Sequence, residues 1–378
     1  MRVVTTPRGH VPALDGLRGA AILLVFVTHA SSALVPAGAF DAAVKNVANA
    51  GWIGVDLFFV ISGFLITGIL LDTRDATARW RNFFARRVLR IFPLYYGVLV
   101  FLFVVLPLLW SHPLLAATQA DQAWYWGYAV NFLELKEHGQ WQPLYTGHLW
   151  SLAIEEQFYL LWPLVVWACT PRTLGRVAVG TMATGFLLRV WFAIADLFQT
   201  AFAAYLFTPT HLDGLMVGAL LAVLTRSEDG LTRLRPHVSR VIGWGLAMLV
   251  GLAVVRGGFR ADDSAVTIVG FPLLAIVFGA VLVTAIERRG AARLFENPVL
   301  RWLGIYSYGL YVFHLPVIGG LQWLGLISYR RGVPEVLASR LPAVIGFAAV
   351  AALVSCALAW SSYHTYEKRF LALKGYFA

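Results

Sequence analysis

The chain has 378 residues, 59% of them hydrophobic and only 13% charged, with a net charge of +10. A soluble domain carries about 25% charged residues, and here the apolar residues run uninterrupted through Ile91–Trp110, Ser264–Ile286 and Leu341–Ser362. A bilayer core about 30 Å thick needs roughly 20 apolar residues in helix, so these runs exclude a soluble globular class, and the short alternating segments of a transmembrane β-barrel are absent.

The expected fold is all-α: one integral-membrane domain over residues 1–378, a polytopic bundle of about ten helices. In chain order the spans fall at 16–35, 51–71, 91–110, 149–169, 177–195, 207–225, 241–256, 264–286, 302–327 and 341–362. The first follows Arg18 without a small-residue cleavage site before the next, so it reads as a retained span and not a signal peptide. With the N-terminus inside, the inside segments hold 22 Lys and Arg, counting Arg18 at the inner edge of the first span, and the outside segments 7, counting Arg256 at the outer edge of the seventh; Arg189 is the remaining one, deeper inside a span. The positive-inside rule then puts both ends in the cytoplasm. The basic balance is a topology signal, and no nucleic-acid partner is expected. Cys169 and Cys356 lie in apolar stretches and read as packing residues, not a disulfide framework. No 20–50-residue repeat and no attached soluble domain is read.

Ionisable residues inside spans are expensive and so are functional candidates. Arg18 and His29 are eleven residues apart, three turns and about 16 Å along a helix. That spacing puts both on one face, with Arg18 at the cytoplasmic edge and His29 near the midplane. Imidazole is neutral at little cost and is suited to general-base work, but a structural histidine bonded to a neighbouring helix fits the spacing equally. Asp56 enters the second span at its outer end, among glycines that permit close helix contact; it orients a histidine or an acceptor hydroxyl or, the reading favoured by charge, pairs with Arg189.

Arg79, Arg81, Arg86, Arg87 and Arg90 crowd the inside loop before the third span. Arg86, Arg87 and Arg90 share a helical face, which suits either anionic lipid head groups or a bound phosphate. The outside segment 111–148 is rich in aromatics (Trp124, Tyr125, Trp126, Tyr128, Trp141, Tyr145), read first as interfacial anchors and second as a sugar-stacking surface. Glu155 and Glu156 lie just inside the fourth span, with Ser151 one turn from Glu155; a buried glutamate serves as acid or base. His314 lies in the ninth span and, taken alone, reads as structural.

The ordered series LDGLRG with Arg-x10-His (Arg18, His29), GVDLFFVISGFLI at 54–66, the arginine cluster before IFPLYY at 91–96, HLWSLAIEEQFYLLWP at 148–163, HLDGLMVGALLA at 211–222 and SYGLYVFHLPV at 307–317 resembles the membrane acyltransferase-3 family. The resemblance covers nearly the whole chain. It implies an O-acyltransferase of the bacterial cytoplasmic membrane that moves an acyl group, acetyl by default, from acyl-CoA to a glycan or glycoside hydroxyl, with no metal.

It further implies His29 as the essential histidine, paired with Arg18, and Arg86, Arg87 and Arg90 as the residues that handle the donor. Glu155 falls in the family's acidic motif, and either it or Asp56 would orient the imidazole. Many members have Arg where this chain has His211. Some carry a fused extracytoplasmic domain, which this chain, ending about 16 residues after its last span, is expected to lack. A secondary transporter or exporter and a structural membrane protein are the rival readings; inverted repeats favour the first, and the second leaves His29 and Glu155 unexplained.

Overall fold

The computed structural model describes residues 11–109, 111, 113–137, 146–195, 202–227, 230–288, 290, 292–326 and 339–377. Among them there is no β-strand. The principal helices are α1 (Pro12–Ser31), α2 (Ala39–Asn49), α3 (Ile53–Asp72), α4 (Arg79–Val100), α5 (Val130–Lys136), α6 (Trp150–Ala168), α7 (Pro171–Ile194), α8 (Asp213–Leu224), α9 (Val238–Arg256), α10 (Phe271–Ile286), α11 (Pro298–Ile305), α12 (Ser307–Trp323) and α13 (Leu341–Ser362). Among the described residues, seven helical segments are long and apolar enough to cross a membrane: those built on α1, α3, α4, α7, α9, α10 and α13. The other three expected spans fall on α6, α8 and α12. Of these, α8 and α12 are shorter, and α6 carries Glu155 and Glu156. The chain is a polytopic membrane helical bundle.

Local sequence explains several helix starts. Pro171 and Pro298 occupy first-turn positions, where the missing N–H costs nothing. Thr170 caps α7 through Thr173 N, and Asn297 caps α11 through Val299 N and Leu300 N, each side chain accepting an otherwise orphaned donor.

Four expectations change. First, α1 ends at Ser31, not near residue 35, so His29 sits in its last turn. Second, the arginine cluster is not in a loop: α4 begins at Arg79 and runs on through Pro93 and one π-helical turn to Leu109. Third, the ninth span is two helices, broken at Tyr306. Fourth, the aromatic outside segment folds back on α4. Tyr125 and Tyr128 are buried; Tyr128 stacks on Tyr95 with 4.1 Å between centroids, and the Tyr95 hydroxyl donates to the Tyr125 carbonyl at 2.8 Å. Those two rings are core residues, not interfacial anchors. Trp141 and Tyr145 lie outside the described residues.

Helix α3 is the centre of the bundle. The apolar window of its segment is 78% buried, against 11% for α9, whose Trp244 and Val255 stand exposed where lipid would cover them. Helices α1, α6, α8 and α10 all pack on α3. The α3–α8 contact is backbone to backbone: a β-carbon on Gly63 would overlap the Leu215 carbonyl, and one on Gly218 the Val60 carbonyl. The same device joins α1 to α11 and the turn before it. There Gly16 meets the Phe295 carbonyl, Gly19 the Leu300 carbonyl and Gly304 the Asp15 carbonyl. In a lipid solvent helices gain little from hydrophobic exclusion, so close approach through small residues supplies the packing. Two of the glycines of the LDGLRG series are thereby explained as contact points.

The buried Arg189 holds α7 to the start of α8. Its guanidinium grips Asp213 with two bonds, Nη1 to Oδ2 at 2.5 Å and Nη2 to Oδ1 at 3.2 Å, and donates to the Thr210 carbonyl at 2.6 Å. The expected Asp56–Arg189 pair is therefore replaced by Arg189–Asp213. The two residues face each other across one interface, whereas Asp56 is taken by a different partner, described below.

Replacing Gly304 by Val should force α1 and α11 apart. Overpacking costs about 1–3 kcal/mol, and backbone that cannot yield puts this site at or above the upper end. Thermal unfolding in detergent should show a clearly lowered midpoint, while Gly320→Val, where a β-carbon meets nothing within 4 Å, should leave it near wild type.

Candidate active site

A cavity of about 500 Å³ runs along α3. Its α3 lining extends from Val55 to Asp72, 17 residues or about 26 Å of helix, close to the thickness of a hydrocarbon core. One end is basic and is built from helix ends. Asp15 and Arg18 come from the start of α1, Asp72 from the end of α3, Arg87 and Arg90 from α4, and Arg226 from just beyond α8. Asp72 and Arg226 are paired at 2.6 Å, and Arg18 lies 3.5 Å from Asp15. The middle carries Ser62, Glu155, Glu156 and Tyr159, with the Ser62 and Tyr159 hydroxyls 2.5 Å apart. The far end is closed by Ser151 and Tyr311, whose hydroxyls are 2.5 Å apart.

Beyond that closed end lies a cluster of three histidines. The Tyr311 hydroxyl donates to the His148 carbonyl at 2.8 Å. The His148 and His314 rings are 5.0 Å apart between centroids. His314 Nε2 is 3.0 Å from His29 Nδ1. His314 and His148 are buried and His29 is half-buried. Among the described residues no group of His, Cys, Asp and Glu is arranged to hold a metal.

The structure thus brings Arg18, Arg87, Arg90 and Glu155 into one cavity. His29 lies just past its end, and Asp56 and Arg86 lie outside the lining. Arg86 is exposed, because two adjacent helical residues point about 100° apart and only Arg87 faces in with Arg90. Neither Glu155 nor Asp56 bonds to His29 among the described contacts; His314 does. Sequence reasoning passed over Ser62, Tyr159, Tyr311 and His148 and took His314 as structural. The signal was present in SYGLYVFH, where Ser307, Tyr311 and His314 recur at i, i+4 and i+7 on one helical face.

A family profile described as "Acyltransferase domain" matches residues 11–360. The chain belongs to the acyltransferase-3 family. It is 29% identical over 84% of its length to "Peptidoglycan O-acetyltransferase OatA" of Listeria monocytogenes, covering 51% of that protein. It is 30% identical over 95% of its length to the Bacillus subtilis protein named "Putative peptidoglycan O-acetyltransferase YrhL", covering 54% of it. The chain therefore spans about half the length of these curated relatives. No solved structure matches.

His211, expected to stand where many members of the family carry Arg, is tied into the fold through both ring nitrogens. It is buried, with Nδ1 2.7 Å from the Tyr205 carbonyl and Nε2 3.0 Å from Asp56 Oδ1.

In the segment between α4 and α6, Glu134 is buried with Oε1 unpartnered among the described residues, directly against Gly147, which precedes His148. Burial, and secondarily Glu137, push its carboxyl up to about 8. A raised carboxyl means the folded chain holds a proton that the unfolded chain has released. Stability should therefore fall as pH rises from the ordinary glutamate value of 4.5 towards about 8. Thermal unfolding of wild type and Glu134→Gln at pH values below and above that window should show the wild-type midpoint dropping with pH and the variant's dropping less.

Proposed function

We propose that this chain is an O-acyltransferase of the bacterial cytoplasmic membrane, with both ends in the cytoplasm. It carries an acetyl group from cytoplasmic acyl-CoA to a hydroxyl of an extracytoplasmic glycan, a cell-wall glycan by likeness to the relatives above. The observation that carries this reading is the cavity along α3. It is lined by arginines at the end the charge count assigns to the cytoplasm and by Ser151 and Tyr311 at the other, one side-chain layer from the histidine cluster.

Arginine forks match phosphate oxygens, so Arg87 and Arg90, with Arg18, are assigned to the donor's phosphates. Lys374, on the segment after α13, adds a further positive charge beside Arg86, Arg87 and Arg90. Such crowding of positive charge is relieved by an anion. The donor's thioester arm would extend along α3, past Ser62 and Glu155, to the Tyr311 end. The acceptor would approach from the opposite side, where His29 is half-buried.

In the transfer step His29 removes the acceptor's hydroxyl proton as the oxygen attacks the thioester carbonyl. The new C–O bond forms, the C–S bond breaks, and the leaving thiolate takes the proton back from the imidazolium. The products are the ester and the free thiol, and the histidine is regenerated. Glu155 does not reach His29; facing Arg18 and Arg87, it is assigned to balancing the arginines along the donor path.

His29→Ala should lower transfer of label from radioactive acetyl-CoA to peptidoglycan fragments by at least about 10²-fold, the usual contribution of a general base, in protein that remains monodisperse. Near-normal transfer would remove His29 from the chemistry. Arg87→Ala with Arg90→Ala should instead raise the KM for acetyl-CoA about tenfold or more, since hydrogen bonds to charged groups contribute about 1.5–3 kcal/mol each. An unchanged KM would rule out the phosphate role.

A further inference from the structure

The acceptors around His314 decide which nitrogen of His29 is the base. His314 Nδ1 lies 2.8 Å from the Tyr311 carbonyl and 3.2 Å from the Leu310 carbonyl, both on its own helix. Carbonyl oxygens only accept, so Nδ1 carries the proton. His314 Nε2 is then either a lone pair or, if the ring is charged, a second N–H. The ring is fully buried, and among the described residues the titratable groups facing it are His148 and His29, with Tyr311 alongside at 5.6 Å between centroids. None of them is an acid, and an imidazolium buried without a counter-charge is strongly disfavoured. The neutral ring therefore presents a lone pair at Nε2.

The atom facing that lone pair, 3.0 Å away, is His29 Nδ1. Two lone pairs do not bond, so His29 Nδ1 is the donor. The Val25 carbonyl one turn back is a second acceptor hydrogen-bonded to the His29 ring, and a carbonyl supplies no proton. A neutral His29 with its proton on Nδ1 has its basic lone pair on Nε2.

We propose that His314 is a positioning residue: by accepting the Nδ1–H of His29 it fixes that ring's tautomer and leaves Nε2 as the nitrogen that meets the acceptor hydroxyl. This rests on the reading of His29 as the base. His314 does not relay protons, because its own N–H ends on the carbonyls of α12. During the transfer step the acceptor proton enters and leaves at His29 Nε2. The His29–His314 bond stays in place throughout and stabilises the transient imidazolium.

Two variants separate positioning from packing. His314→Leu removes the acceptor while keeping an apolar side chain. His314→Gln places an amide oxygen near the former Nε2. Using full-length protein in nanodiscs with labelled acetyl-CoA and peptidoglycan fragments, His314→Leu should lower kcat at least about 10²-fold with the KM for acetyl-CoA little changed, and His314→Gln should recover much of the loss. A mis-set tautomer behind a catalytic imidazole costs up to about 10⁴-fold in the serine-protease triad.

A readout independent of activity is 15N NMR of histidine-labelled protein, with the His29 signals identified by their loss in His29→Ala. Wild type should show His29 protonated at Nδ1, and His314→Leu should shift it towards Nε2. Wild-type protonation at Nε2, or an unchanged tautomer and kcat in His314→Leu, overturns the proposal. If His314→Leu does not fold, the wild-type spectrum still decides. Transfer surviving in His29→Ala would sink the base reading itself, whereas an inactive His29→Ala beside a fully active His314→Leu would sink only the role of His314.

Discussion

The backbone contact of α3 with α8 at Gly63 and Gly218 sets the position of most other parts. Because no β-carbon intervenes, α8 seats against one side of α3 without filling the space along its other face, and that face lines the cavity for nearly its whole length. Helix α6 closes the opposite wall with Ser151, Glu155 and Tyr159, tied to α3 by the Ser62–Tyr159 contact and by Trp162 donating to Thr67 at 2.8 Å. Helix α12 caps the far end with Tyr311. Widening the α3–α8 contact by one methyl would therefore press on the helix that lines the cavity.

The second organising constraint is the cost of polar groups away from water. Inside hydrocarbon an unpaired ion or hydrogen-bonding group is expensive, and the bundle answers with local partners. Arg189 takes Asp213, His211 takes Asp56, and His314 takes two carbonyls and His29. Each of the first two pairs joins a helix to the start of α8 or the turn before it and lies outside the lining of the cavity along α3. The third is different, because one of its members, His29, retains an exposed edge. The same physics that makes a buried histidine costly thus separates scaffold from candidate chemistry. A fully enclosed pair holds helices together, and a half-open one has a lone pair to offer.

Much of this was legible in the sequence. Unbroken apolar runs fixed the class, since only a lipid solvent favours them at that length. The ordered motifs from LDGLRG to SYGLYVFH pointed to the acyltransferase-3 family, and the match over residues 11–360 establishes it. Spacing alone put Arg86, Arg87 and Arg90 on one face and Ser151 with Glu155 on another; all but the exposed Arg86 line the cavity. These are local properties, set by the 3.6-residue turn.

What spacing could not supply was which helix faces which. Asp56 was matched to Arg189 on charge alone, but partner choice depends on helix rotation, and rotation here is set by which glycines meet which carbonyls. His314 read as structural because its significance lies in His29, 285 positions away. The aromatic segment read as an interface because amphipathic rings suit both an interface and a core, and only the packing of Tyr125 and Tyr128 on α4 decides between them. The sequence by itself determined the solvent, the family and the local faces, because those follow from composition, motif order and helical period. The tertiary structure alone decided the pairings, because which acceptors and donors surround a side chain depends on how the helices are rotated in three dimensions.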